Sequence, residues 1–423
     1  MLNVELSDIQ HSAFSIQYSA FNMFQRATIA ALALILVLAV ALAQPGLALL
    51  CALLLVTAGM ARLWSRWSLR GVIYERQLSQ LRAFPDDEIE LTIKVTNRKL
   101  LPLAGLRIFD RLPTAITLVN ASTTFSGTRQ AQILQRRTSL RWYESVAWRY
   151  TLRCAARGAY RIGPVQMLSG DPFGLYSSDA DLEVYSTLLV YPRLISLPDL
   201  GLPARNPLGD VRAGQLLRDP LRIVGVRDYT PSDPLKDVHW AATARTGSLQ
   251  TRVYEPTTSR VLAIFLDLDT FEFYYEGIDP ALAERMISAA ATVARAGLDA
   301  GYAVGLYANG APAEFEHLAR LPAGRSPAQL GQIMETLARL TAYSVTTIGR
   351  VLQLTVPDLR PGTTIMLIGS VNTEATRAAL LRQRELGYQI SWLFMGPGEA
   401  PRVPGVRVIR AASSQTPLPN AAA

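Results

Sequence analysis

The sequence predicts an α/β plus β protein carried on an N-terminal transmembrane helical hairpin, and three observations predict it. Two uncharged apolar runs precede residue 62, strict two-residue alternation recurs between about residues 70 and 200, and strand and helix patterns alternate from residue 260 onward. A chain of 423 residues exceeds one ordinary core, so several units are expected. The predicted order is an N-terminal segment (1–26), the hairpin (27–69), a β-sandwich-like domain (70–200), a linker and motif segment (201–259), a doubly wound α/β domain (260–412) and a flexible tail (413–423).

The hairpin rests on TIAALALILVLAVALA (28–43) and LALLCALLLVTAGMA (47–61), neither of which carries a charge. Each is near the short end of the roughly 17–25 residues that span a bilayer, and Met23, Phe24, Leu63, Trp64 and Trp67 can extend them into the interfaces. One helix through both runs would overshoot the bilayer, so Pro45-Gly46 is predicted as the turn. Arg62, Arg66, Arg70 and Arg76 cluster after the second run while the turn is uncharged, which by the positive-inside bias puts the large C-terminal part on the cytoplasmic side of an inner membrane. A cleaved signal peptide ending at Ala41-Leu42-Ala43 is the rival, with only Arg26 as a positive charge before it, and it leaves the same part inside. The two cysteines, Cys51 and Cys154, fall in different environments and form no disulfide framework.

The β-rich segment is read from EIELTIKVTN (88–97) and SVAWRYTLRC (145–154), separated by turn signals at 84–87, 110–113 and 157–158. Asp171-Pro172-Phe173-Gly174-Leu175 is predicted as a turn plugged by its phenylalanine. Residues 201–225, rich in Gly, Pro and Arg, read as a linker or surface loop. In the next segment Asp233 and Pro234 are predicted to start a helix that buries Leu235, Val238 and Ala242 and ends at Gly247, followed by the strand LQTRVYE (249–255).

The α/β domain opens with RVLAIFLDLD, then a helix capped by Asp279-Pro280 that runs to Gly301. YAVGLYA (302–308), TTIMLIGS (363–370) and YQISWLFMG (388–396) are further strands, with helices opening near Ser326-Pro327 and Thr373-Glu374.

The chemistry is constrained by what is missing. No Gly-Lys dipeptide, G-x-G-x-x-G after a strand, H-E-x-x-H or G-x-S-x-G occurs, and the histidines are only His11, His239 and His317. The formal charge of +8 comes almost wholly from scattered arginines, which suits an anionic membrane surface and forms no aromatic-interleaved stripe for nucleic acid. Two clusters remain. In RDYTPSDPLKDVHWAATARTG (227–247), Asp237 and His239 point apart on a helix and so make no catalytic dyad, while Lys236 and Trp240 can stack. At the end of the first α/β strand, Asp267 and Asp269 are either solvated carboxylates or a pair of oxygens able to hold Mg²⁺.

DPFGL, the run RDYTPSDPLKDVHWAATARTGSLQTRVYE and the strand ending in an aspartate together resemble the domain-of-unknown-function family fifty-eight. The resemblance implies a membrane-anchored bacterial protein with a von Willebrand factor A-like C-terminal domain and a MoxR-type AAA+ ATPase as partner. Arg227, Tyr229, Pro231, Asp233, Trp240, Ala244 and Arg245 match the family's central motif; Ser232, Lys236 and His239 depart from its glycine, arginine and aspartate. A metal-binding von Willebrand A domain uses Asp-x-Ser-x-Ser, and Asp269 and Phe271 replace both serines here, with Val371 and Asn372 where a later aspartate is expected. The resemblance therefore implies no metal and no other cofactor.

The expected function is a non-enzymatic adaptor that contacts membrane lipid and a protein partner, with no nucleic acid or small-molecule substrate. The alternative is a metal-assisted hydrolase using Asp267 and Asp269 with Asp233 or His239. A third class has the β-sandwich bind envelope material across the membrane.

Overall fold

The computed structural model describes residues 27–120, 122–125, 131–203, 217–257, 260–312, 317–360 and 362–412. The predicted N-terminal segment 1–26, residues 204–216 of the predicted linker and the predicted tail 413–423 lie outside the described residues. The chain divides into two compact units: Met1–Gln80, Ile89–Leu152 and Arg161–Thr187 in the first, Leu81–Glu88, Arg153–Tyr160 and Leu188–Ala423 in the second.

The first unit begins with the helices Ala27–Ala41 and Pro45–Ser68. Among the described residues only Pro45–Ser68 is long and apolar enough to cross a membrane. The turn falls at residues 42–44, where Ala43 takes a positive φ of 51°. Pro45-Gly46, predicted as the turn, instead opens the second helix, because proline at the first helical position surrenders only an N–H that has no intrahelical partner.

Two sheets follow. One runs in the order Val72–Leu78, Glu88–Asn97, Ser145–Cys154, Ile116–Leu118; the other runs Ser177–Leu182, Val165–Gly170, Leu103–Pro113, Ala131–Leu140, Thr124–Phe125. Alternation sets which side is buried: in Glu88–Asn97, Ile89, Leu91, Ile93 and Val95 all point to the core. Arg76, read from sequence as part of the membrane-flanking arginine cluster, is enclosed in this unit, with its guanidinium on Asp110. The other three arginines of that cluster are exposed.

The second unit is organised by a six-stranded sheet in the order Arg320–Gly324, Ala303–Ala308, Val261–Leu266, Thr364–Gly369, Gln389–Phe394, Arg407–Arg410. All pairings are parallel except the edge strand Arg320–Gly324. Val261–Leu266 is buried on both faces. Leu262, Ile264 and Leu266 meet Met286, Ile287 and Ala290 of helix Pro280–Asp299 and Ile333 of helix Gln329–Arg339. Ala263 and Phe265 meet Val351 and Leu352 of helix Ile348–Thr355 and Leu380 of helix Glu374–Glu385. A sheet covered on both faces explains why its strands read as continuous apolar runs.

The cap predicted at Asp279 is in place, and the helix expected near Thr373-Glu374 is capped by Thr373. Asp279 accepts from Ala281 and Leu282 N–H at 3.0 and 3.1 Å, and Thr373 Oγ1 accepts from Thr376 N–H at 3.1 Å. The helix expected near Ser326-Pro327 starts at Gln329, behind Ala328. Gly297 marks the tightest helix–sheet approach, since a Cβ there would lie 2.9 Å from Leu262 Cδ2.

Ahead of this sheet stands a two-stranded hairpin, Leu217–Asp228 paired antiparallel with Gln250–Thr257. The later part of the segment predicted as linker is therefore a strand.

Candidate functional site

The first cluster sits where the central strand of the α/β sheet ends. Asp267 leaves Val261–Leu266 between two parallel neighbours, and its N–H donates to Ile368 O at 2.8 Å. This is the crevice at the carboxyl ends of the strands where the sheet order reverses. Asn309, directly after the adjacent strand, donates from Nδ2 to Asp267 Oδ1 at 2.7 Å and to Asp269 Oδ2 at 3.4 Å, and its Oδ1 accepts from Leu268 N–H at 2.8 Å. Ser344 donates to Asp269 Oδ1, and Ser370 Oγ donates to Asp269 O at 2.8 Å. Gly369 admits this packing, because a Cβ there would lie 3.1 Å from Asp267 Cβ.

Asp267 is buried and Asp269 partly so. Burial first, and then the Asp269 carboxylate, push the Asp267 carboxyl well above the usual carboxylate range, against the pull of the Asp269 N–H and the Asn309 amide. The residues fit a divalent cation poorly. The pair supplies two carboxylates, and among the described residues no group of three or more His, Cys, Asp or Glu could hold a metal ion.

The second cluster is the connection of the hairpin, residues 229–249, whose ends are held together by Tyr229 N–H donating to Leu249 O at 2.9 Å. Asp233 does not cap a helix here. Its Oδ2 accepts from Thr230 N–H at 3.0 Å and from Thr230 Oγ1 at 2.9 Å, and its Oδ1 accepts from Arg227 at 2.6 Å. The backbone donor at Thr230, and then Arg227, hold its carboxyl below the usual range. A short 3₁₀ turn, Leu235–Asp237, follows, and the helix is Trp240–Thr246.

His239 is the residue that caps this helix, with Nδ1 accepting from Ala242 N–H at 3.1 Å while its own N–H donates to Gln250 O at 2.7 Å. The buried stripe predicted for a longer helix is absent: Val238 is buried, Leu235 is exposed, and the two lie on different local elements. Lys236 and Trp240 likewise share no helix face. Trp240 is 68% exposed, and Arg245 and Pro231 face solvent. Gly247 ends the helix at φ 75°, with its N–H on Thr243 O.

Sequence reasoning thus named both clusters but misread the partners. Asp267 and Asp269 share one network, and Arg227 and Asp233 are paired, but Asp233 and His239 spend their side chains within 227–242. Asn309, Ser344 and Ser370 were missed. Asn309 and Ser370 each directly follow an apolar parallel strand, a position that carries the signal.

Every one of these residues lies inside a single family match. Residues 225–373 match the family model described as "Protein of unknown function DUF58". The DUF58 match begins within the hairpin, takes in its connection, and runs through the central strands to Thr373. The chain is 26% identical over 218 residues to "Uncharacterized protein YeaD" of Bacillus subtilis (strain 168), an alignment that covers 50% of this chain and 52% of that protein. The chain thus spans about half the length of that relative.

Among solved structures the likenesses are slight. A type II cohesin domain from the cellulosome of Acetivibrio cellulolyticus matches at TM-score 0.21 and 9% identity, over 28% of this chain and 94% of that one. A non-cellulosomal cohesin from Archaeoglobus fulgidus matches at 0.19 and 10%, over 28% and 90%. The sporulation control protein Spo0M of Bacillus subtilis matches at 0.19 and 12%, over 28% and 49%.

Proposed function

We propose that this chain is a non-enzymatic, membrane-anchored adaptor that presents the hairpin connection to a protein partner. The observation that carries the reading is the division of labour within residues 227–249. Arg227, Thr230, Asp233 and His239 are used in folding the segment, while Trp240, Leu235 and Arg245 are left facing solvent. Exposed tryptophan and arginine on a short capped helix are the residue types that anchor protein interfaces.

The resemblance of the central motif supports a MoxR-type AAA+ ATPase as that partner. The doubly wound sheet with a carboxylate pair at the end of its first strand supports a von Willebrand A-like reading of the C-terminal domain. Two spans at 27–69 and a cytoplasmic soluble part are the topology proposed, the side resting on exposed Arg62, Arg66 and Arg70. The hydrolase alternative is set aside because Asp233 and His239, which it needs beside Asp267 and Asp269, are committed within their own segment.

A photocrosslinking side chain placed at Ala244 in the full-length protein, irradiated in native membranes, tests the adaptor reading. An AAA+ ATPase in the adduct is the expected result, and adducts with lipid or solvent alone overturn it. Calorimetric titration of the full chain with Mg²⁺ tests the rejected alternative, for which saturable heat is required.

A further inference from the structure

We propose that one end of the first unit is a membrane-docking collar, in which the tips of three loops enter the phospholipid interface beside the end of helix Pro45–Ser68. The inference rests on that helix spanning the bilayer, as the adaptor reading has it, and is otherwise independent of any protein partner.

The helix has 24 residues, about 36 Å at 1.5 Å each, against a hydrocarbon core of about 30 Å. Its uncharged stretch stops at Arg62, so its last turns, with Trp64, Arg66 and Trp67, belong in the headgroup region.

Strand register brings three loops to this same end. Val72 pairs with Asn97, Leu103 with Leu140, and Gly170 with Ser177, so loops 98–102, 141–144 and 171–176 leave the sheets together. They are tied to the helix end and to one another. Lys99 Nζ donates to Ser68 O at 2.5 Å, and Arg98 N–H to Gly71 O at 2.9 Å. Asn97 Nδ2 donates to Leu101 O and Arg141 O at 3.0 and 2.8 Å, and the helix packs against strands Val165–Gly170 and Ser177–Leu182.

What these loops expose is unusual for tips in water. Trp142 is 64% exposed, Tyr143 65% and Phe173 68%, with Leu100 and Leu175 also outward. Tyr143 is held at φ 52°, in a region that side chains avoid, on a tight turn that presents both aromatics. Of the carboxylates at this end, Asp171 is buried and accepts from Phe173 and Tyr176 N–H at 2.9 and 2.5 Å, while the exposed Glu144 is engaged by Arg141 N–H at 2.6 Å. Arg66, Arg70, Arg98 and Arg141 remain exposed around them. Aromatic tips ringed by arginine, fixed to the end of an apolar helix, match the chemistry of a phosphate-bearing lipid surface. The DPFGL turn, expected to plug the core, then serves as one of the wedges.

The full chain, reconstituted in vesicles of phosphatidylethanolamine and phosphatidylglycerol, tests this with nitroxide labels on Trp142→Cys, Phe173→Cys and Val119→Cys. Cys51 and Cys154 are buried, so labelling is confined to the introduced thiols. Val119 is exposed and donates its N–H to Thr151 O, toward the Cys154 end of strand Ser145–Cys154 and away from the loops, and it serves as the water reference. The expected result is that oxygen relaxes the labels at 142 and 173 strongly and a nickel chelate barely at all, with the reverse at 119. Labels at 142 and 173 that behave like 119 overturn the collar. A chain that does not float with the vesicles overturns both the anchor and the collar, whereas loss of the Ala244 crosslink touches only the adaptor.

Discussion

Arg76 and Asp110 meet inside the first unit as a two-pronged ion pair, Nη2 to Oδ1 at 2.5 Å and Nε to Oδ2 at 3.1 Å, with neither side chain reaching solvent. Tyr74 donates its hydroxyl to the same carboxylate at 2.7 Å, and the remaining guanidinium nitrogen donates to Ile162 O at 2.9 Å. Burial pushes the Asp110 carboxyl up while Arg76 and Tyr74 pull it back, so the charge survives only by being fully partnered.

Removing one partner is therefore far costlier than removing both. Arg76→Met is expected to destabilise the protein by about 3–5 kcal/mol, and Arg76→Met with Asp110→Leu by much less. Denaturant unfolding of the wild type, both single variants and the double variant measures this; additive single-variant losses would show that the pair is not coupled.

Asp233 organises the start of the hairpin connection. Asp233→Ala is expected to speed proteolytic cleavage within 229–249, with Asp233→Asn intermediate because its amide oxygen still accepts one bond. The folded-state value of Asp233 is depressed, so its contribution is present above the unfolded value of about 4 and is lost as pH falls through the depressed value. Wild-type cleavage rates should approach those of Asp233→Ala only at that acidic limit.

Asp267 has the opposite sign. Its folded-state value is raised, so between the unfolded value of about 4 and the raised one the native state holds the extra proton. Stability attributable to this group is complete below the unfolded value and declines as pH rises through that window. Asp267→Asn is expected to flatten the pH dependence and to be more stable than wild type at the alkaline end. Unfolding midpoints followed over pH decide it, and a variant curve parallel to wild type rules it out.

Cys154 is fully enclosed, and burial pushes its thiol up to about 12. Since the thiolate is the reactive form, the native chain is expected to resist alkylation at Cys154 at neutral pH and to react on unfolding. The mass shift of the peptide carrying Cys154, with and without denaturant, reports this directly.

Where periodicity was strong, sequence and structure agree closely. Glu88–Asn97 and Ser145–Cys154 are strands over the residues read from alternation, and helix Pro280–Asp299 starts and stops at Asp279-Pro280 and Gly301. The segment 227–247 was harder, because Asp233-Pro234 satisfies the local rule for a helix start while Asp233 is claimed by Arg227 and Thr230 instead. Asn309 and Ser344 join Asp269 from 40 and 75 residues away, distances over which no local pattern speaks. Phe173 deceived for a simpler reason: a turn fixes where a side chain begins, and not whether the core or something outside receives it.

The hairpin that carries the central motif has one more consequence. Its connection leaves Asp228 and returns at Gln250, two residues paired directly across the ladder. A two-residue turn in place of 229–249 could therefore close the same ladder without rerouting either strand. Deleting the segment tests how far the folding of the sheet depends on it, and a graft that carries Trp240 and Arg245 must take Arg227, Gln250 and Thr251 with it, because Asp233, His239 and Val238 are held by them.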